Sequence, residues 1–196
     1  NPTALDTLFK RCKTPRGADK IFRLWDDALW AVSKKTDTTD AYRRYLLRFP
    51  GGQHVKEANV AVEEAAWRGC QESGKVESYK AYLKEYPSGT HAKEAKEAIN
   101  NLAYQVAREK DTIEGYESFL KDNSGHKEAE KRLRQLRYER AVRTGTLEHW
   151  KAFYDEYRYS RWTDDGKDFD QMKENAGKEI ARLLFERIAA EATLEL

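Results

Sequence analysis

The sequence predicts an all-α fold, a solenoid of about five antiparallel helix pairs, and three observations carry that prediction. Aromatic markers recur at a near-fixed period: Trp30 and Trp67 stand 37 residues apart, Trp67 and Tyr104 again 37, and Tyr104 and Tyr138 34. Each marker is followed from its twelfth residue onward by an apolar stripe, Tyr42, Tyr45, Leu46 and Phe49 after Trp30 and Tyr79, Tyr82, Leu83 and Tyr86 after Trp67. Breakers then fall at one place, Pro50-Gly51-Gly52 and Pro87-Ser88-Gly89. A period of this length means units too small to bury an apolar face alone, which stack on their neighbours into a continuous core.

The first 37 residues obey the same register. Leu5, Leu8, Phe9 and Cys12 form the stripe of a short helix, Pro15 and Gly17 end it, and a second helix carries Ile21, Leu24, Trp25, Ala28 and Trp30. In the next repeat the segment TTDAYRRYLLRF places its apolar residues at the three-and-four spacing of one helix face. Asp37, Gly74, Asp111 and Gly145 each stand three residues before an acid, respectively Asp40, Glu77, Glu114 and Glu148, which predicts helix caps at those four positions. The second helices carry Ala58, Val62, Ala65 and Trp67, then Ala95, Ile99, Leu102 and Tyr104, then Ala129, Leu133, Leu136 and Tyr138. The alanine that opens each set lets two helix axes approach closely.

The fifth repeat breaks the rhythm. Its first helix runs through Trp150, Phe153, Tyr154 and Tyr157, but the next marker is Phe185, 47 residues after Tyr138, with Ala176 nine residues before it. The extra residues fall between 158 and 170 and read as a loop insertion, in which Tyr159, Arg161 and Trp162 make a mixture enriched at interface anchors. The repeats thus cover about 3–37, 38–74, 75–111, 112–145 and 146–196 as a single repeat domain. The last helix presents Ile180, Leu183, Leu184, Phe185, Ile188 and Ala189, a broad apolar band for a solenoid end. The chain is therefore expected to belong to a longer protein or to associate end to end.

Composition narrows the function classes. With 36 basic and 34 acidic side chains the net charge is +2, so no field spans the sequence to favour nucleic acid or an anionic membrane. No apolar run approaches the roughly 20 residues that cross a bilayer and no signal peptide opens the chain. The expectation is a soluble cytoplasmic protein, or a periplasmic one where an upstream signal has been removed. Cys12 and Cys70 supply neither a disulfide framework nor a metal spacing, and Cys70 aligns with Ser33, Ala107 and Ala141 as a small packed residue.

His54, His91 and His126 begin three successive second helices. Neighbouring helices about 8–10 Å apart do not bring such side chains onto one ion, so each is expected to be a solvated first-turn residue, and His149 likewise. Asp164, Asp165, Asp168 and Asp170 surround Gly166, but a calcium loop in that register would close on Met172 where glutamate is needed. No phosphate-cradling glycine loop, nucleophile elbow or paired-cysteine zinc pattern occurs. Catalytic residues, metal and cofactor are accordingly all expected to be absent, and most of the 23 Trp, Tyr and Phe residues are assigned to the core.

Tyr42, Tyr45, Leu46, Phe49, Ala58, Val62 and Ala65, and again Tyr79, Tyr82, Leu83, Tyr86, Ala95, Ile99 and Leu102, have the relative spacing of the signature positions of tetratricopeptide repeats. The chain resembles that family over nearly its whole length. It departs in repeat length, mostly 37 where 34 is commonest, and in carrying Leu46, Leu83, Leu120 or Tyr154 where the family has a small residue. The run YLxxYPSGxxxxEA is similar to bacterial members found in envelope-assembly proteins and as arms attached to caspase-like peptidases. The resemblance implies a right-handed α-solenoid whose first helices line a concave groove. By matched position that groove holds Asp40, Arg43 and Leu47, then Glu77, Lys80 and Lys84, then Glu114, Glu117 and Lys121, then Glu148, Lys151 and Asp155.

The function it implies is a non-catalytic protein–protein interaction module or scaffold that holds a partner segment of complementary charge. Arg43, Leu47, Lys80, Lys84, Glu117, Lys121 and Lys151 would contact the partner, joined by Tyr159, Arg161 and Trp162 of the insertion. Two alternatives stand beside it. One is a regulatory or substrate-recruiting arm of a caspase-like peptidase or other effector. The other is a nucleic-acid-binding helical repeat using Arg43, Arg44, Arg48, Lys80 and Lys84 with the run from Arg132 to Arg143, which the balanced charge disfavours and a steep salt dependence would mark.

Overall fold

The computed structural model describes residues 15–159 and 166–194, and all regular structure among them is helical. Long and short helices alternate: α1 (Pro15–Thr36), α2 (Thr39–Arg48), α3 (Val55–Ser73), α4 (Val76–Glu85), α5 (Ala92–Lys110), α6 (Ile113–Asp122), α7 (Lys127–Thr144), α8 (Leu147–Tyr157) and α9 (Gly166–Leu194). The chain forms two compact units that divide between residues 99 and 100, within α5. The stripe of Leu5, Leu8, Phe9 and Cys12 lies outside the described residues, as do Arg161, Trp162, Asp164 and Asp165.

Three of the short helices start on threonine. The Thr38, Thr112 and Thr146 hydroxyls accept from the Ala41, Gly115 and His149 N–H groups at 3.3, 3.1 and 3.4 Å. α4 starts after Lys75, which makes no side-chain cap. The N-caps therefore stand one residue later than the acid spacing predicts. Asp37, Gly74, Asp111 and Gly145 instead close the long helices in the left-handed region, with φ of 49°, 60°, 44° and 61°. Each returns its N–H to a carbonyl four residues back, on Ser33, Cys70, Ala107 and Ala141.

Glycine takes that conformation without a Cβ clash. The two aspartates hold it because their carboxylates are engaged. Asp37 accepts from the Tyr42 hydroxyl at 2.7 Å and pairs with Arg68 at 2.7 Å. Asp111 takes a two-pronged bond from Arg132 at 2.8 and 2.6 Å, which holds its carboxyl below the usual carboxylate range.

The core of the first compact unit gathers Trp25, Trp30, Tyr42, Tyr45, Phe49, Ala58, Val62 and Ala65. Ala58, Ala95, Ala129 and Ala176 are all fully buried, as the close-approach argument requires. α1 departs from expectation. Leu24 and Ala28 face solvent, while Asp26 and Ser33 are buried. The polar pair goes inward because it is satisfied there: the Ser33 hydroxyl donates to the Ala41 carbonyl at 3.2 Å, and Asp26 accepts from Tyr45 and the Gln53 N–H. Cys70 is buried as predicted, and its thiol repeats the Ser33 contact one repeat later by donating to the Ser78 carbonyl at 3.2 Å.

The second compact unit holds two core clusters, one around Ala107, Tyr116, Phe119, Ala129 and Leu133 and one around Ala141, Trp150, Phe153, Tyr157, Phe169 and Ala176. The predicted loop of 158–170 is corrected here, because residues 166–170 are already the first turns of α9. Phe169 explains the change. Its ring meets that of Tyr157 at 5.9 Å and lies 4.4 Å beneath the Arg134 guanidinium, so this half of the insertion is drawn into the core as helix.

Candidate partner-binding face

The short helices α2 and α4 hold matched positions in neighbouring repeats, so Arg43 corresponds to Lys80 and Leu47 to Lys84. Tyr42, Tyr45, Tyr79 and Tyr82 take one side of these helices into the core and leave the four matched residues outside. Leu47 is 84% exposed. Lys80 and Lys84 lie one turn apart and are exposed, and no described carboxylate pairs with either.

Arg43 is different: its Nη2 donates to Glu85 Oε1 at 2.5 Å, an oxygen that also accepts from the Tyr86 hydroxyl at 2.9 Å. The bond lowers the Glu85 carboxyl and raises the Arg43 guanidinium. Arg43 thus braces α2 against α4 and sets the surface on which Leu47, Lys80 and Lys84 stand.

In the second compact unit the Arg137 guanidinium plays a similar part. Its Nη2 donates to Glu117 at 2.8 Å, while Nη1 donates to the Tyr157 hydroxyl at 2.8 Å and also reaches Glu156. Glu117 is therefore tied to α7, whereas Lys121 and Lys151 are exposed. Tyr159 is 83% exposed, with the Arg158 guanidinium 4.8 Å from its ring, so it stands clear of its own core. Its proposed companions Arg161 and Trp162 fall outside the described residues.

Glu85, Tyr86 and Arg137 were not legible as site-forming residues. Glu85 meets Arg43 across 42 residues and Arg137 meets Glu117 across 20, beyond any local spacing rule, and Tyr86 joins only through Glu85. The arginine run also looks different in three dimensions. Arg132 binds Asp111 and Glu139, Arg134 is buried above Phe169, and Arg137 is the brace, so three of its five arginines make contacts inside the fold.

The histidines require a second correction. Beneath the first breaker, the Tyr45 hydroxyl donates to Asp26 Oδ1, the Gln53 N–H donates to Asp26 Oδ2 at 2.6 Å, and the His54 N–H donates to the Tyr45 hydroxyl at 3.1 Å. The His54 ring stacks on Trp30 at 5.4 Å and 13°, with Nε2 2.8 Å from Asp27. The pattern returns 37 residues later. Tyr82 and the Thr90 N–H donate to Glu63 at 2.8 and 2.5 Å, and His91 stacks on Trp67 at 4.8 Å and 6° with Nε2 3.1 Å from Glu64. His126 lies 4.3 Å from the Tyr104 ring and its Nδ1 accepts from the Ala129 N–H, while His149 bonds to Thr146. The expected solvated first-turn histidines are instead half-buried, because His54 and His91 cover the flat face of the marker ring and His126 packs tilted against it.

These networks set the acid–base behaviour of the core tyrosines. Burial, reinforced by the bond to Asp37, pushes Tyr42 up to about 12, and burial with Glu63 does the same for Tyr82, while burial and Asp26 raise Tyr45. An unfolded chain gives up these protons near 10.0, so the folded state alone keeps them above that pH. Stability is then intact below pH 10.0 and falls as pH rises toward 12. Tyrosinate absorbance from these buried rings is expected to appear together with the loss of helical circular dichroism. Full ionisation of all eleven tyrosines near pH 10.0 with the helical signal unchanged would contradict it.

Among the described residues no group of three His, Cys, Asp or Glu side chains is placed to hold a metal ion, and no helix is long and apolar enough to cross a membrane. Comparison with protein-family models, with curated proteins and with solved structures finds no match.

Proposed function

We propose that the chain is a protein-interaction module, a right-handed α-solenoid of tetratricopeptide type with about five helix pairs, whose first-helix surface holds a segment of a partner protein. The observation that carries this reading is the outer side of α2 and α4, where an 84%-exposed leucine on one helix and two exposed lysines on the other belong to helices joined by the Arg43–Glu85 bond. Such a surface suits a peptide that presents an apolar side chain followed by acids. Apolar contact supplies the affinity and the lysines set orientation. Lys121, Lys151 and Tyr159 would extend the same recognition chemistry within the second compact unit.

Selection of a displayed random-peptide library on the 196-residue chain tests the proposal. Enriched peptides are expected to carry an apolar residue beside acidic ones, with binding that weakens as salt is raised. The double variant Lys80→Glu/Lys84→Glu should bind them about tenfold or more weakly while keeping its helical content. Unchanged affinity in that variant would remove the site from this face.

A further inference from the structure

Each of α1, α3, α5 and α7 turns two positions toward the short helix that follows: the marker ring and a small residue three places on. The pairs are Trp30 and Ser33, Trp67 and Cys70, Tyr104 and Ala107, Tyr138 and Ala141, and all four small residues are buried. Trp30 meets Tyr42 and Tyr45 at 5.7 and 5.4 Å, and Tyr138 meets Trp150 and Phe153 at 5.6 and 5.4 Å. On α9 the same positions are Phe185 and Ile188, which are 74% and 63% exposed. Among the described residues, nothing covers on this helix the face that is a helix–helix contact four times over.

Two features say what covers it. First, Ile188 stands where the other long helices have Ser, Cys or Ala. Those small residues admit a short helix at close range, whereas an isoleucine holds the partner axis farther off, so another short helix of the same kind does not fit. Second, Ala181, Phe185, Ile188 and Ala192 follow one another at spacings of four, three and four. That is the seam of a left-handed helix pair, and both its spacing and its order of sizes, small, large, large, small, read the same in either direction. Antiparallel pairing about a two-fold axis between Phe185 and Ile188 places each phenylalanine against the other copy's isoleucine and alanine against alanine.

The neighbouring charges agree. Arg182 is bonded to Glu179 and Glu186 at 2.8 and 2.6 Å, Arg187 to Glu191 at 3.0 Å, and Lys178 to Glu174 at 2.6 Å. With its charges paired inside the helix, the seam presents no field that would repel a second copy or select a charged stranger. We propose that α9 is a homodimerisation helix, joining two copies of this chain through an antiparallel, self-complementary seam centred between Phe185 and Ile188. A seam of about three helical turns lies at the small end of interfaces, so the dimer is expected to dissociate in the micromolar range.

Sedimentation velocity across roughly 1 to 500 μM is the test. The wild-type mass is expected to rise from monomer to dimer over that range. Phe185→Lys and Ile188→Glu should each weaken association about 30-fold or more while leaving the thermal melt of the monomer unchanged, since both side chains are exposed there. Mixing the two variants should recover a heterodimer, because antiparallel pairing sets the new lysine against the new glutamate. A wild-type monomer at every concentration overturns the dimer. A dimer that survives both substitutions overturns its place on α9, and a mixture that recovers nothing overturns the antiparallel register.

Discussion

Gly52→Ala is expected to destabilise the first compact unit by about 3 kcal/mol, while Gly51→Ala, one residue away, shifts stability by less than about 1 kcal/mol. A Cβ on Gly52 would stand 2.6 Å from the Tyr45 hydroxyl oxygen, 2.9 Å from Asp26 Oδ1 and 2.9 Å from Phe49 Cβ, whereas one on Gly51 meets nothing within 4 Å. None of the three neighbours can yield cheaply. Tyr45 and Asp26 are bonded to each other and almost fully buried, and Phe49 is packed between Tyr45 and Trp25. The added methyl must either break the phenol–carboxylate bond or push the breaker loop off its seat, which also frees the Gln53 and His54 N–H groups.

Denaturant unfolding followed by helical circular dichroism measures both variants, and equal midpoints would show that the breaker tolerates a side chain. Gly89 holds the matched place one repeat later, where an added Cβ would run into Glu63 Oε1 and stand 2.8 Å from Tyr86 Cβ and 3.0 Å from the Tyr82 hydroxyl oxygen. Gly89→Ala should therefore behave like Gly52→Ala.

This contrast between adjacent glycines shows how far the sequence could be read. Pro-Gly-Gly and Pro-Ser-Gly announce a reversal, and both reversals occur where expected. Which glycine is indispensable depends on Tyr45 and Asp26, which arrive from seven residues away and from another helix, so local turn chemistry cannot tell Gly51 from Gly52. The same limit explains the other misses. The period placed Tyr42, Tyr45, Trp67 and Ala58 correctly because apolar burial is periodic. It sent Leu24 and Ala28 inward on α1 and left Asp26 out, because a hydrophobic pattern has no way to foresee a polar group whose hydrogen bonds are met by tertiary partners.

The caps were misplaced by a single residue, since Asp37 and Asp111 resemble N-caps in sequence while their positive φ makes them helix ends. On the proposed binding face the resemblance picked out Leu47, Lys80 and Lys84 by matched position, and all three are exposed. The conversion of Arg43 and Glu117 into braces was not legible, because Glu85 and Arg137 approach them only through folding.

Asp26 gives the largest expected effect of a side-chain deletion. It is 1% exposed, and its two oxygens accept from the Tyr45 hydroxyl and the Gln53 N–H. Asp26→Ala leaves the buried Tyr45 hydroxyl and the part-buried Gln53 N–H without this acceptor and opens a cavity beneath the breaker, which should cost about 3 to 5 kcal/mol. Asp26→Asn retains the volume and one accepting oxygen but turns an amide N–H toward a donor, so about half that loss is expected. Glu63→Ala, the matched change one repeat later, should cost less, because Glu63 is only half-buried.

The chain contains its own control for this coupling. Where the phenol is replaced by Phe119 and Phe153 in the fourth and fifth repeats, the carboxylate position holds Asn100 and Arg134, so hydroxyl and acid are present together or absent together. In a double-mutant cycle, Asp26→Ala and Tyr45→Phe combined should therefore be less destabilising than the sum of the single changes by about 1 to 2 kcal/mol. Strict additivity would mean that the carboxylate acts only through Gln53, and that the repeated pairing of tyrosine with acid has no energetic basis.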